Sequence, residues 1–211
     1  MTAQAQAAQQ VKVGDLFPDM PVWQIGADGK RKEHKALTSI VPAAPSTELA
    51  TPPIFRSRVI VVFGVPSAET PVCSGQHLPS FVKVADQFKK AGVQVFCYAT
   101  NNVAVLDAWV KKHDESGIIQ CYPDPHSILA KKFGLDVISP ALGAISKRFA
   151  LILEQAAEGK YVVKDVQVQA DPSTCDVTSG GLLWARVAEL YSIKVPTGSV
   201  SNSTLVSTAK K

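Results

Sequence analysis

The clearest signal along the chain is an unbroken apolar run, Val59–Val65 (VIVVFGV). A half-exposed strand alternates apolar and polar residues, so a continuous β-branched run predicts a strand buried on both faces. Beyond it the period changes. Leu78, Phe81, Val82, Ala85 and Phe88 recur at helical spacing, which predicts a helix from near Cys73 to a stop at Gly92. Pro79 lies inside it and predicts a kink, because an interior proline removes a backbone hydrogen bond and costs about 3 kcal/mol. Val93–Ala99 reads as the next strand. Asn101 or Asn102 can cap a helix bearing Leu106, Trp109 and Val110. Ile118–Tyr122 reads as a short strand and Pro125–Phe133 as a helix stopped by Gly134. Arg148–Leu153 and Tyr161–Val168 predict an antiparallel hairpin around a loop containing Gly159. A last helix, roughly Ser179–Tyr191, carries Leu182, Leu183, Ala185, Val187 and Leu190.

The order β-α-β-α-β-α-β-β-α predicts the α/β class. Parallel crossovers closed by a hairpin and a helix give a thioredoxin-like mixed β-sheet flanked by helices. This domain is expected over residues 11–194, behind a polar N-terminal extension, 1–10. An insertion at about 36–58 holds Pro42, Pro45, Pro52 and Pro53 and reads as a surface loop. Residues 195–211 read as a flexible Ser/Thr-rich tail. At 211 residues the chain can bury roughly 70% of its unfolded surface and needs no covalent staples. Its 4 cysteines, with no CxxC, argue against a disulfide scaffold and against a zinc site. The net charge of +4 comes without a basic stripe, so no nucleic-acid partner is expected. The apolar runs are too short to span a membrane. Residues 1–10 lack the features of a secretory signal or an arginine-rich presequence, and a cytoplasmic location is the default expectation. In a reducing compartment cysteines are catalytic, redox-active or merely buried.

Cys73 stands at the strand-to-helix turn. Backbone N–H groups at a helix start stabilise an anion and favour a thiolate; the plain alternative is a small buried cysteine. Its surroundings bear on that choice. Pro66-x-x-x-Thr70-x-x-Cys73 directly follows the apolar strand and resembles the active-site motif of the peroxiredoxins. The stretch Phe63-Gly64-Val65-Pro66 through Thr70-Pro71-Val72-Cys73-Ser74 to His77-Leu78-Pro79 is similar to the type II, or atypical two-cysteine, branch. The resemblance runs from about Val11 to Leu190. It takes in Val13-Gly14-Asp15, Asn101, Trp109, Asp124-Pro125 and Lys147-Arg148-Phe149.

The resemblance implies a thiol-dependent peroxidase that uses no metal, haem or flavin. It implies Cys73 as the peroxidatic nucleophile and Thr70 as the hydroxyl that orients thiolate and peroxide. Pro66 would shield the pocket. Arg148, which alone would read as a surface arginine, would lower the thiol pKa and stabilise the leaving oxygen. Cys175 occupies a place like that of the resolving cysteine of animal members, and Cys97 a place like that of the second cysteine of plant members. Either could also be inert, and Cys97 reads on a strand, where cysteines are usually buried and unreactive. Cys121 reads as core. His77, one turn past Cys73, is expected to pack or hydrogen-bond. The implied partners are a hydroperoxide, a thioredoxin or glutaredoxin/glutathione-type reductant, and a second copy in a homodimer. Glu69 departs from the pattern, because the family typically has phenylalanine there. Beside Cys73 its charge would raise the thiol pKa; pointing outward it would pair with a basic group. It keeps open a second reading, a peroxiredoxin-like redox sensor or chaperone with weak turnover.

Overall fold

Residues 9–18, 20–25, 30–34, 59–115, 117–157 and 159–193 are described by a computed structural model of the chain. Residues 1–8, the proline-rich insertion at 36–58 and the tail at 195–211 lie outside these residues. An N-terminal hairpin pairs β1 (Val22–Ile25) with β2 (Arg31–His34). The apolar run forms β3 (Val59–Val65), every residue of it buried. Next come β4 (Gln94–Ala99), β5 (Gln120–Pro123), and a hairpin of β6 (Asp136–Ser139) and β7 (Gly143–Ser146). β8 (Phe149–Ala157) and β9 (Lys160–Val168) complete the strands among the described residues.

The main sheet has the order β5-β4-β3-β8-β9. β3 is parallel to β4 and antiparallel to β8, and β4 is parallel to β5. This is the mixed, thioredoxin-like sheet that the element order implies. Alternate residues of β3 feed two cores. Val59, Val61, Phe63 and Val65 face one cluster, with Phe81, Phe88, Leu106, Trp109, Leu183 and Val187. Ile60 and Val62 face the other, with Phe96, Tyr122, Leu129, Phe149 and Leu151. A core on each face is why this strand carries no polar position.

The helical segment after β3 is less regular than a single kinked helix. A π-helical turn, Cys73–His77, runs into α1 (Leu78–Val82), and the chain breaks at Val84 before α2 (Ala85–Lys90). Leu78 donates its N–H to the Cys73 carbonyl, closing the wide turn. That turn lies just ahead of Pro79, where the proline ring would otherwise strike the preceding helical carbonyl. Asn102 is the cap of α3 (Val103–His113), its Oδ1 accepting from the N–H groups of Ala104 and Val105, both at 3.0 Å.

The helix expected from Pro125 starts later. Pro125–Ser127 is a 3-10 turn in which His126 and Ser127 are left-handed, and α4 spans Ile128–Lys132. The Asp124 carboxylate takes the first N–H groups of that helix, at Leu129 and Ala130, and so does the capping. The hairpins β1–β2 and β6–β7 fall outside the alternation that the apolar pattern predicts. Four-residue strands carry too little periodicity to register.

α5 (Gly180–Leu190) starts hard against α1. A Cβ at Gly180 would stand 2.5 Å from Phe81 Cα and from the Ser80 carbonyl, whereas one at Gly181 would meet open space. Backbone cannot yield as a side chain can. Gly180→Ala is therefore expected to destabilise the fold by about 1–3 kcal/mol. Gly181→Ala is expected to stabilise it by about 0.5–1 kcal/mol through reduced backbone entropy. Urea unfolding of the two variants checks the contrast, and equal midpoints would contradict it.

Candidate active site

β3 delivers the chain to Pro66, and a short loop then leads to the π turn. Asn101, just past the end of β4, fastens this loop. Its Oδ1 accepts the Ala68 N–H at 2.7 Å and its Nδ2 donates to Ser67 Oγ at 3.2 Å. The two asparagines that sequence alone could not separate thus have different tasks. Thr70 donates its hydroxyl proton to the Ser67 carbonyl at 3.0 Å. A carbonyl can only accept, so the Thr70 oxygen presents its lone pairs elsewhere. Glu69 takes a left-handed conformation, φ 60°, which turns its side chain outward. It pairs with Lys112 at 3.3 Å, both side chains more than half exposed. The outward placement is the one found, and a pair this exposed contributes about 0–1 kcal/mol.

Cys73 opens the π turn and is fully buried. The next residue holds the turn in place. Ser74 N–H reaches the Thr70 carbonyl at 2.9 Å, and Ser74 Oγ accepts from the Trp109 indole of α3 at 2.9 Å. Arg148 precedes β8, whose antiparallel register sets Phe149 against Gly64. Position 148 therefore arrives beside the end of β3. Phe149 lays its ring over Gly64, where a Cβ would collide with it. Arg148 itself is 3% exposed. Its Nη1 donates to Cys73 Sγ at 3.3 Å and to His77 Nδ1 at 3.1 Å, and its Nη2 to the Pro172 carbonyl at 3.2 Å. Its Nε is buried without a partner. Among the described residues no carboxylate forms an ion pair with it.

His77 is the joint between these parts, a role its spacing from Cys73 hinted at without defining. Its Nε2 lies 2.9 Å from the Thr178 carbonyl, so that nitrogen carries the proton and Nδ1 accepts from Arg148. Burial, reinforced by the Arg148 charge, lowers its pKa to about 3. Pro172 and Thr178 bracket Cys175, which is 8% exposed and leads into a 3-10 turn, Asp176–Thr178. Burial raises the Cys175 thiol pKa, against the pull of Arg148. The Cys175 segment is thus tied at both flanks to side chains that also surround Cys73. Pro66, Ser146, Arg148, Val168 and Pro172 line a cleft of about 490 Å³. Cys97 and Cys121 face each other from β4 and β5, and Cys97 lies near enough to Cys73 for that thiol to act on it electrostatically.

The profile of the Redoxin family matches residues 12–180. The chain is 33% identical over 148 residues to Peroxiredoxin-2F, mitochondrial, of Arabidopsis thaliana, covering 67% of this chain and 71% of that protein. It is equally identical over 148 residues to Peroxiredoxin-2C of Oryza sativa subsp. japonica, covering 68% and 82%. The crystal structure of reduced Prx3 from Vibrio vulnificus in complex with H2O2 superposes with a TM-score of 0.68 at 24% identity, covering 84% of this chain and 99% of that one. Among the described residues no helix is long and apolar enough to cross a membrane.

The buried His77 makes a testable link to pH. Its pKa is about 3 when folded, against an ordinary 6.5. The unfolded chain therefore binds this proton more tightly. The contribution is complete above pH 6.5 and is lost as pH falls towards 3, at up to about 1.4 kcal/mol per pH unit. His77→Gln keeps a donor for Thr178 and removes the titration. Denaturant unfolding between pH 7 and 4 should show the wild type losing stability faster than this variant, whereas parallel curves would contradict the assignment.

Proposed function

The chain belongs to the redoxin family, as a type II peroxiredoxin and thiol-dependent peroxidase, and from this premise we propose that Cys73 is the thiol that attacks the peroxide. The observation that carries the reading is the buried Arg148 Nη1–Cys73 Sγ contact at 3.3 Å, made by an arginine that also lines the cleft. The Cys73 thiolate attacks the near oxygen of a hydroperoxide, the O–O bond breaks, and Cys73 becomes a sulfenic acid. The departing alkoxide or hydroxide takes a proton and leaves as alcohol or water. Arg148 faces the charge that develops on that oxygen, and its unpartnered Nε–H is a donor with no competing bond to give up. Thr70, its own proton engaged by Ser67, offers a lone pair to the peroxide O–H. Pro66 lines the same cleft as Arg148.

The reductive half-reaction is assigned to Cys175. Its thiol attacks the Cys73 sulfenic acid, forming a disulfide and releasing water. A dithiol of the thioredoxin type, or glutaredoxin with glutathione, then returns both cysteines to thiols. Because the segment 172–178 is tied to Arg148 and His77, it must loosen for the two sulfurs to meet. Cys97, the alternative, is wholly buried within a strand and is set aside for this step. The substrates are hydrogen peroxide and alkyl hydroperoxides, and the acting unit is a homodimer. The location is the cytoplasm or an organelle interior; the second follows from the mitochondrial Arabidopsis relative. Glu69 gives no separate support to a sensor, since its charge is held outward by Lys112.

Rapid-mixing kinetics with hydrogen peroxide test the reading. Cys73→Ser is expected to abolish peroxide consumption. Arg148→Ala is expected to slow oxidation by on the order of 10²–10³. An unchanged rate in either variant overturns the corresponding role. For Cys175, one equivalent of peroxide should yield a Cys73–Cys175 disulfide, and Cys175→Ser should leave a trappable Cys73 sulfenic acid. A wild-type protein that accumulates the sulfenic acid without a disulfide would rule Cys175 out as the resolving thiol.

A further inference from the structure

Two nucleophiles take no part in this scheme. Cys97 and Cys121 are register partners on the parallel strands β4 and β5. Paired strands run about 4.8 Å apart, which puts the two Cα atoms inside the 4.4–6.8 Å window that a disulfide can span. Both side chains also lie on one face of the sheet: Cys97 is part of the core that contains Trp109 and Leu106, and Cys121 packs against that core. Cys97 Sγ lies 3.9 Å from the Tyr98 carbonyl, and Cys121 faces it from the next strand. Burial first, then the neighbouring Cys121 and, last, Cys73 push the Cys97 thiol well above the ordinary range.

Their exposures differ in a useful way. Cys97 is wholly buried, whereas Cys121 is half-buried on β5, the edge strand of the sheet. A reagent in solution therefore meets Cys121 first, with Cys97 waiting behind it as a protonated thiol already in contact.

We propose that Cys97 and Cys121 form a second redox site, distinct from Cys73, which a hydroperoxide closes to a cross-strand disulfide. Cys121 sulfur displaces the far oxygen of the peroxide, giving a Cys121 sulfenic acid and one molecule of alcohol or water. Cys97 sulfur then attacks the Cys121 sulfur, the S–S bond forms, and the sulfenic hydroxyl leaves with the Cys97 proton as water. Two electrons pass from the thiol pair to the peroxide. Proximity lets a poorly ionised thiol perform the second step, since the reaction is intramolecular. Neither Arg148 nor His77 touches the pair, so the site reacts more slowly than Cys73 and fills when peroxide is in excess. The closed disulfide joins β4 to the edge strand β5 and closes a loop of chain that contains α3. It returns to thiols with a dithiol reductant.

The double variant Cys73→Ser/Cys175→Ser isolates the pair, and its result does not depend on whether Cys73 is the peroxidatic thiol. Treatment with excess hydrogen peroxide is expected to lower its intact mass by two hydrogens. Trypsin should then release residues 91–111 linked to 113–131, and dithiothreitol should separate them. Closure should also raise Tm, because it restricts the unfolded chain. Adding Cys97→Ser should instead drive Cys121 to sulfinic acid. Two free thiols after treatment, or a sulfinic Cys121 with Cys97 still present, would overturn the proposal. If the double variant does not fold, the same linked peptides must appear in the wild-type protein under excess peroxide, and their absence there overturns it equally.

Discussion

A guanidinium buried to within 3% of complete organises this molecule. Taking a charge out of water costs several kcal/mol, and here no carboxylate among the described residues offsets it. Arg148 is held instead by a sulfur, an imidazole nitrogen and a backbone carbonyl. Three neutral-capable acceptors leave the site electrostatically unfinished, so any negative charge forming next to the guanidinium is stabilised. The protein accepts this cost at the one place where a reacting sulfur and a departing oxygen both need positive potential.

The rest of the architecture serves that placement. β3 and β8 run antiparallel, so the residue before β8 lands beside the turn after β3. Gly64 admits the Phe149 ring and Gly180 admits the backbone of α1. Phe149 directly follows Arg148, and Gly180 lies two residues after Thr178, so both close approaches sit beside the site. Trp109 fixes the π turn from below through Ser74, while Asn101 fixes the loop ahead of it. Each sheet neighbour of β3 thus contributes one polar group to the same few residues, on a scaffold whose two cores are otherwise apolar.

Much of this was legible from the chain. The unbroken run at 59–65 meant burial on both faces, and the structure has a separate core on each. The closing hairpin and the last helix fell where the apolar spacing put them, because burial imposes the spacing, whereas the segments after Cys73 and Pro125 broke into shorter turns. What remained hidden depends on tertiary contact. Nothing local at Arg148 reveals an active-site cation; only resemblance to a family linked it to Cys73, 75 residues away. Nothing local at His77 reveals its tautomer, which is set by a carbonyl 101 residues downstream. Asn101 and Asn102 are identical in type and adjacent, so spacing could not tell a cap from a loop fastener. The left-handed His126 and Ser127 follow a carboxylate that caps from outside the helix, a geometry that propensity does not encode.

The long sequence separations inside the site have a consequence for the chain while it is being made. Cys73 leaves the ribosome 75 residues ahead of Arg148, and His77 precedes Thr178 by 101. At ~5–20 residues per second the first gap lasts about 4–15 s. Throughout that interval the thiol has neither its guanidinium nor its walls, and it reacts as slowly as any cysteine in an unfolded peptide. The nascent protein is therefore spared oxidation by the very peroxide it is built to consume, because its reactivity arrives last.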